Sequence, residues 1–202
     1  LVGLEHDDHG AERMTVIDGV ELDYGSNELG DVLRGVIKGN GNYLERVLGH
    51  LQPHSTAELE ALRPLVKASL SRKVHRHYQG FARSQLNEWE KSGFRSAKKL
   101  LYVLRTTLTG VHLLRSGEVV TDLSVLMDGF GFGDARTLIE QKTRGEKSEL
   151  PDALADEWKG RTARAFAMLD DAQQHSKLPA EPGPQSQAAL EGWLLELRRQ
   201  RL

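Results

Sequence analysis

The sequence predicts an α+β fold that is predominantly α-helical, in which a residual β-hairpin of a larger sheet is followed by a helical bundle. The stretch MTVIDGVELDYGS, from Met14 to Ser26, places Asp18-Gly19 between alternating and β-branched residues, which favours a hairpin. Beyond it, apolar residues recur at three- and four-residue spacing, which is typical of amphipathic helices. No later segment has a convincing strand pattern, so the hairpin is the whole of the predicted sheet.

The predicted hairpin leads to two expectations. A two-stranded hairpin is marginally stable alone, so we expect it to belong to a larger sheet or to pack against helices. Glu21 and Asp23 stand two residues apart on the second strand, so both carboxylates point to the same face. Carboxylate oxygens suit Mg²⁺, although a two-metal site needs more than this pair. An ordinary exposed acidic strand is the alternative interpretation.

The first predicted helices are short. Ser26 or Asn27 caps a helix that carries its apolar side chains between Leu29 and Ile37. The segment KGNGN, from Lys38 to Asn42, ends it because glycine and asparagine favour a tight reversal. A second short helix then covers Tyr43 to Leu48.

The middle of the chain predicts longer helices. Ser55 caps a third helix with Glu58 at the capping-box position, and Pro64 ends or kinks it. Two long helices follow at about 72–91 and 96–115, separated by Ser92-Gly93. Their predicted buried stripes are Val74, Tyr78, Phe81, Leu86 and Trp89 in the first, and Leu100, Leu101, Leu104, Leu108, Val111 and Leu114 in the second.

The last part of the chain alternates short connections with helices. A helix is predicted from Asp122 to Met127, followed by the glycine-rich connection DGFGFGD, which Phe130 and Phe132 anchor to the bundle. Further helices begin near Ala135 and Pro151. We divide the chain into residues 1–50 (remnant of a catalytic domain), 51–177 (helical domain), 178–185 (linker, LPAEPGPQ) and 186–202 (amphipathic helix).

Composition excludes several function classes. The 202 residues include no cysteine, so disulfides, thiolate zinc sites and cysteine nucleophiles are excluded, in agreement with a cytoplasmic location. No run approaches the roughly 20 apolar residues of a membrane span, so we expect no membrane partner. Charge is uneven along the chain. Nine acidic residues and one basic residue occupy residues 1–31, whereas nine basic and two acidic residues occupy residues 71–105. This asymmetry indicates a polyanionic partner, or two solvated faces that attract one another.

Two rows of basic residues are candidates for phosphate binding. Lys98, Tyr102 and Arg105 share one helix face by their spacing. Arg72, Arg76 and Arg83 provide the second row. Such rows bind phosphates by charge and, for arginine, by bidentate hydrogen bonds. The alternative interpretation is a solvated surface, or salt bridges to the acidic front of the chain.

Other patterns carry no recognisable chemistry. The DGFGFGD run has no preceding strand and no G-K-S/T ending, so it is neither a Walker nor a Rossmann loop. No zinc-protease histidine pairing or nucleophile elbow is present. The segment EHDDHG, with His6, Asp7, Asp8 and His9, suits either a metal site or an acidic loop.

Several segments, read in order, resemble a bacterial and phage family of predicted nucleotidyltransferases of the DNA polymerase beta superfamily, of the type found beside RNA ligases in RNA-repair operons. The similar segments are LVGLE, VELDYGSNELGDVLRGVIKGNGNYLERVLG, LSRKVHRHYQGFARSQL, KKLLYVLRTTLTGVHLLRSGEVV and LIEQKTRGEKS. Together they span roughly residues 1–154.

The resemblance implies a Mg²⁺-dependent enzyme with a two-metal site. In this superfamily a Gly-Ser motif, an Asp-x-Asp pair and a third carboxylate hold Mg²⁺ against a nucleoside triphosphate. Asp23 matches the third carboxylate, and Glu21 is a supporting candidate. Lys98 and Arg105 match basic positions, and Tyr102 stands where relatives often have histidine. Candidate phosphate-binding residues also include Arg83, Lys38 and Asn40.

The Gly-Ser motif and the Asp-x-Asp pair have no match in these 202 residues. We therefore expect an N-terminal portion outside the sequence, or else a degenerate or split relative. The hypothesis is that the chain belongs to an enzyme that transfers a nucleoside monophosphate from NTP to a nucleic-acid, protein or small-molecule acceptor, possible acceptors including RNA. By itself the chain is expected to be inactive. The alternative is a non-catalytic helical module that binds RNA or a protein through residues 71–105.

Overall fold

The computed structural model describes residues 10–143 and 149–200. It confirms an α+β chain that is mostly helical. The elements in chain order are β1 Glu12–Ile17, β2 Val20–Gly25, α1 Leu29–Ile37, α2 Gly41–Leu48, α3 Ala57–Ala68, α4 Val74–Lys91, α5 Ala97–Ser116, α6 Leu123–Gly129, α7 Arg136–Thr143, α8 Asp152–Gln174 and α9 Pro184–Arg199. A 3₁₀ turn, Gly133–Ala135, precedes α7.

The predicted hairpin forms, and its turn explains why. Asp18 and Gly19 both have positive φ, at 52° and 77°, which is the backbone of a type I′ turn. The antiparallel register pairs Met14 with Asp23 and Val16 with Glu21, so these four side chains share one face. The opposite face carries Thr15, Ile17, Val20, Leu22 and Tyr24. Most of these side chains are exposed, including Ile17 at 54% and Tyr24 at 61%. Both faces of the hairpin are therefore open to solvent.

Helix α5 lies at the centre of the bundle. It is buried on most of its surface and packs against α4, α6, α7 and α8. Gly110 sits where α5 meets α4 and α8: an added Cβ would lie 2.7 Å from Cβ of Tyr78 and 2.8 Å from Cδ1 of Leu169. The three helices approach this closely because position 110 has no side chain. All six residues of the predicted stripe on α5 are buried.

Two apolar clusters form the core. One joins side chains from α1, α2, α3, α4, α5, α8 and α9, and the other joins α4 and α5 to α6, α7 and α8. The first cluster crosses the boundaries drawn from sequence at residues 50 and 177, and the division into domains stays a prediction. Phe132 is fully buried and Phe130 packs against both clusters, as expected for the glycine-rich connection.

The cap predicted for α1 was wrong. Glu28, not Ser26 or Asn27, is the N-cap, and its side chain accepts a hydrogen bond from the Asp31 N–H at 3.0 Å. Ser26 has another role, because its Oγ accepts from the Ala11 N–H at 2.8 Å and closes the open end of the hairpin. The helix therefore begins only at Leu29.

The cap predicted for α3 was also wrong. Thr56 is the N-cap, accepting from the Leu59 N–H at 3.3 Å, whereas the Ser55 hydroxyl donates to Glu60. Glu58 consequently stands one residue before the capping-box position. Of the two outcomes predicted at Pro64, the helix end is wrong, because the helix continues to Ala68, and the kink stays a prediction. Tertiary packing on both sides of the proline, through the buried Leu62 and Val66, outweighs the lost backbone hydrogen bond.

The predicted linker 178–185 is partly helical. Pro184 is the first residue of α9, a position that suits proline because its missing N–H would be unpaired there anyway. Pro182 is buried, and its carbonyl accepts a hydrogen bond from the Gln187 side chain at 2.9 Å. Leu190 and Leu194 then place α9 in the same core cluster as α1 and α3.

Candidate functional site

Arg105 lies at the centre of a polar network between three helices. From α5, its Nη1 donates to Oε2 of Glu45 on α2 at 3.0 Å. The other carboxylate oxygen, Oε1, accepts from the hydroxyl of Tyr78 on α4 at 3.1 Å. The Arg105 and Glu45 side chains are only 28% and 17% exposed. Burial, together with the neighbouring Glu45 carboxylate, raises the pKa of Tyr78 well above its ordinary value, so the phenol stays a hydrogen-bond donor.

Two surface clefts meet at Arg105. The α5 cleft, of about 280 Å³, is lined by Lys98, Leu101, Tyr102, Arg105, Leu123, Ile139 and Lys142. The α2 cleft, of about 460 Å³, is lined by Asn42, Glu45, Arg46, Gly49, Leu51, Arg105 and Thr121. The structure thus brings together Lys98, Tyr102 and Arg105, which the sequence placed on one helix face. Their role in phosphate binding stays a prediction.

A third depression, the Lys38 pocket, has a volume of about 580 Å³ and is lined by Lys38, Gly39, Asn40, Lys73, Arg76 and His77. The turn between α1 and α2 lies directly against the start of α4. Gly39 has φ +77°, and an added Cβ would lie 2.7 Å from the carbonyl carbon of Lys73 and 2.7 Å from the nitrogen of Val74. Asn40 caps α2 by accepting from the Asn42 N–H at 3.0 Å. The glycine is thus required for the turn that forms this pocket.

His77 and Glu45 connect the Lys38 pocket to the network around Arg105. The His77 ring stacks on Phe81, with 5.9 Å between centroids, and meets Tyr78 edge-on. Burial lowers the pKa of His77, and the Glu45 carboxylate opposes that effect. Glu45 is therefore hydrogen-bonded to Arg105, which lines both clefts, and interacts electrostatically with His77, which lines the Lys38 pocket.

The predicted residue Arg83 lies apart from these depressions. It is exposed on α4, and its guanidinium carbon is 5.7 Å from the ring centroid of Phe166 on α8. It does not line the Lys38 pocket or either cleft. Asn40 and Lys38 do line the Lys38 pocket.

Glu21 and Asp23 are exposed on the hairpin, on one face as predicted. They line neither cleft nor the Lys38 pocket. Within residues 10–143 and 149–200, no three or more histidine or acidic side chains come together as a set that could hold a metal ion. Mg²⁺ binding by Glu21 and Asp23 stays a prediction. His6, Asp7, Asp8 and His9 lie outside the described residues, as do residues 144–148.

Sequence reasoning missed Glu45, Lys73, His77 and Lys142 as lining residues. Glu45 stands 60 residues before its partner Arg105, so no local spacing could reveal the pair. Lys142 lies in the segment that resembles the family, and its charge was the available signal. Lys73 and His77 flank Arg76 at the start of α4, but they fall outside the spacing of the predicted arginine row.

The basic stretch does not pair with the acidic front of the chain in the ion pairs that the structure describes. Its described partners are Glu45, Glu88, Glu149, Asp152 and Glu181. At the front, Asp31 pairs with Arg34, and Glu28 pairs with Arg198 of α9 at 2.6 Å. The interpretation of two mutually attracting faces gains no support from these contacts.

The fold and these depressions define a class: a mostly helical protein in which a small hairpin precedes the bundle and lysine and arginine side chains line the clefts. A family model described as RlaP, the RNA repair pathway DNA polymerase beta family, matches residues 9–196. The chain belongs to this family.

A curated relative of the chain is the uncharacterized protein MJ0002 of Methanocaldococcus jannaschii. The two are 28% identical over 164 residues, which are 80% of this chain and 67% of the relative. No solved structure is significantly similar to the chain. None of the described helices is both long enough and apolar enough to cross a membrane.

Proposed function

We propose that the chain contributes to a nucleotidyltransferase that moves a nucleoside monophosphate from NTP to an RNA acceptor. An acceptor hydroxyl attacks the α-phosphorus, a new P–O bond forms, the bond between the α-phosphorus and the bridging oxygen breaks, and pyrophosphate leaves. Family membership supports the RNA-repair context. The observation that carries the proposal is the convergence of Lys98, Tyr102 and Arg105 in the α5 cleft.

Arg105 is suited to phosphate because its guanidinium is held in place before a ligand arrives. Glu45 accepts from Nη1 and so restrains the guanidinium, and Tyr78 donates to the other oxygen of the same carboxylate. A guanidinium presents five N–H donors, so one bond to Glu45 leaves others for phosphate oxygens. Lys142 and Lys98 add positive charge to the cleft walls. The role proposed for Arg105 is to position a phosphate of the nucleotide or of the acceptor.

Glu21 and Asp23 are proposed to contribute to metal binding from the exposed hairpin. The test is NTP turnover by the full-length gene product, compared with its Asp23→Ala variant. Replacing a group that only orients a metal ligand lowers activity by about 10- to 100-fold, and replacing the ligand itself should lower it at least as much. We therefore expect Asp23→Ala to reduce NTP turnover about a hundredfold. Glu90→Ala, which removes an exposed carboxylate from α4, is the control and should keep full turnover. Unchanged turnover in Asp23→Ala would remove Asp23 from this role.

The second candidate function is a non-catalytic RNA-binding module. One observation favours it: the cationic side chains line clefts, whereas Asp23 and Glu21 do not. Salt-dependent RNA binding by a full-length product that never turns over NTP would select this candidate. Turnover that depends on Asp23 would exclude it.

A further inference from the structure

The Lys38 pocket gathers positive charge from two separate parts of the chain. Lys38 comes from the turn after α1, and Lys73 and Arg76 come from the start of α4. Lys73 pairs with Glu181 at 3.2 Å, a carboxylate that is 70% exposed. In the part of the chain that the structure describes, Lys38 and Arg76 have no ion-pair partner. Two positive charges are thus uncompensated in one depression, an arrangement that attracts anions.

The geometry of the pocket is built into the fold. Gly39 sits against the backbone of Lys73 and Val74, so the α1–α2 turn cannot separate from α4 without losing close packing. On the far side, Gly41 lies against His77 and Tyr78: an added Cβ there would meet His77 Cδ2 at 2.5 Å. The cationic side chains therefore project from a rigid frame, which lowers the entropy lost on binding a ligand.

We propose that the Lys38 pocket binds a phosphate group of a single-stranded RNA, at a point separate from the α5 cleft. The inference rests on the proposed function in taking RNA as the acceptor. Phosphate contacts by lysine and arginine supply most of the sequence-independent affinity of nucleic-acid binding. A strand carries phosphates at regular intervals, so it can contact the Lys38 pocket and the Arg105 network together.

The placement of the two sites favours a strand over a single small anion. His77 lines the Lys38 pocket and lies within electrostatic range of Glu45, which is bonded to Arg105. The Lys38 pocket and the Arg105 network are therefore linked through His77 and Glu45. The pocket, at about 580 Å³, also holds more than an isolated phosphate.

The test uses the full chain and fluorescence anisotropy with a labelled single-stranded RNA of mixed sequence. The double variant Lys38→Gln/Arg76→Gln removes both unpaired charges. The control double variant Lys67→Gln/Lys159→Gln removes the same charge from α3 and α8, outside the Lys38 pocket and both clefts. A third variant, Lys38→Arg/Arg76→Lys, keeps the charge.

The measured quantity is the slope of log affinity against log salt concentration. Each phosphate contact on a single strand contributes about −0.7 to that slope. Losing the one phosphate held in the Lys38 pocket should make the slope shallower by about 0.7, so the affinity ratio between 50 and 200 mM salt should shrink by about 2.6-fold. The control pair should keep the wild-type slope, and the charge-retaining variant should restore it. Equal slopes for the two Gln variants would overturn the inference, because net charge alone would then explain the effect.

A second titration separates RNA from nucleotide. ATP binding is measured for wild type and for Lys38→Gln/Arg76→Gln. The expected result is unchanged ATP affinity beside weakened RNA binding. If ATP binding is lost and RNA binding is kept, the pocket belongs to the nucleotide and the inference fails. Neither measurement depends on NTP turnover, so failure of the proposed enzyme activity leaves this test intact.

Discussion

Replacing Glu45 with glutamine should lower the stability of the fold and strengthen anion binding. The carboxylate holds Arg105 in place, but its negative charge also opposes the positive charge of Arg105. The carboxylate accepts from Arg105 at 3.0 Å and from Tyr78 at 3.1 Å. The amide oxygen can accept from Arg105 while its NH₂ donates to the Tyr78 oxygen, but neither contact keeps the charge of the carboxylate. The loss is that of the carboxylate's charge in these contacts, and hydrogen bonds to charged groups contribute about 1.5–3 kcal/mol when buried.

Partial exposure reduces that value. Arg105 and Glu45 are 28% and 17% exposed, so solvent screens part of the interaction. We expect Glu45→Gln to lower the free energy of unfolding by about 2 kcal/mol. For a chain of this length that corresponds to a melting temperature lower by about 4–8 °C. Glu118→Gln is the matched control: its pair with Lys67 is more than half exposed, and it should change stability by less than about 0.5 kcal/mol.

RNA binding should change in the opposite direction. A negative charge about 4 Å from a bound phosphate costs roughly 1 kcal/mol at the dielectric constant of water, so its removal should tighten binding about fivefold at low salt. Thermal unfolding and anisotropy with single-stranded RNA measure the two effects on the same samples. A variant that melts like wild type, or that binds RNA more weakly, would refute the reasoning about Glu45.

Two further predictions concern stability. Gly39→Ala should destabilise the chain by at least about 2 kcal/mol, because φ is +77° and the added Cβ would lie 2.7 Å from backbone atoms at the start of α4. Gly80→Ala is the control: it lies on α4 with no atom near its Cβ position and should stabilise the chain by up to about 1 kcal/mol. Denaturant unfolding measures both changes in free energy, and changes of the same sign would contradict this account. Burial raises the pKa of Glu28, but hydrogen bonds from Gly30, Asp31 and Arg198 outweigh burial and hold the pKa below the ordinary 4.5. The ionised Glu28 therefore stabilises the fold fully above about pH 4.5, and this contribution is lost as pH falls through the lowered pKa of the folded state. Glu28→Gln should flatten the pH dependence of the melting temperature in that acid range, and an unchanged dependence would exclude this carboxylate as its source.

Features that depend on short-range pattern were predictable from the sequence. The Asp18-Gly19 turn needs only two residues with positive φ, and the buried stripe of α5 repeats every three or four residues. Lys98, Tyr102 and Arg105 share a cleft for the same reason, since spacing on one helix fixes their common face.

Features that depend on contacts between distant segments were not predictable. Ser26 looked like a cap, but the hairpin uses its hydroxyl, and so Glu28 takes that role. Arg83 matched the arginine row by spacing, yet it lies beside Phe166 of α8 rather than in a cleft. The Lys38 pocket depends on how closely Gly39 approaches α4, which no local pattern encodes.

The pairing of Glu28 with Arg198 joins residues 170 positions apart. Helix α1 also packs against α9, so the first helix of the bundle has its cap and part of its apolar surface completed by the last. During synthesis, that contact cannot form until α9 has left the ribosome. Helix α1 must therefore wait for α9 before its cap and apolar face are complete, and such long-range closure slows folding relative to the local helix pairs.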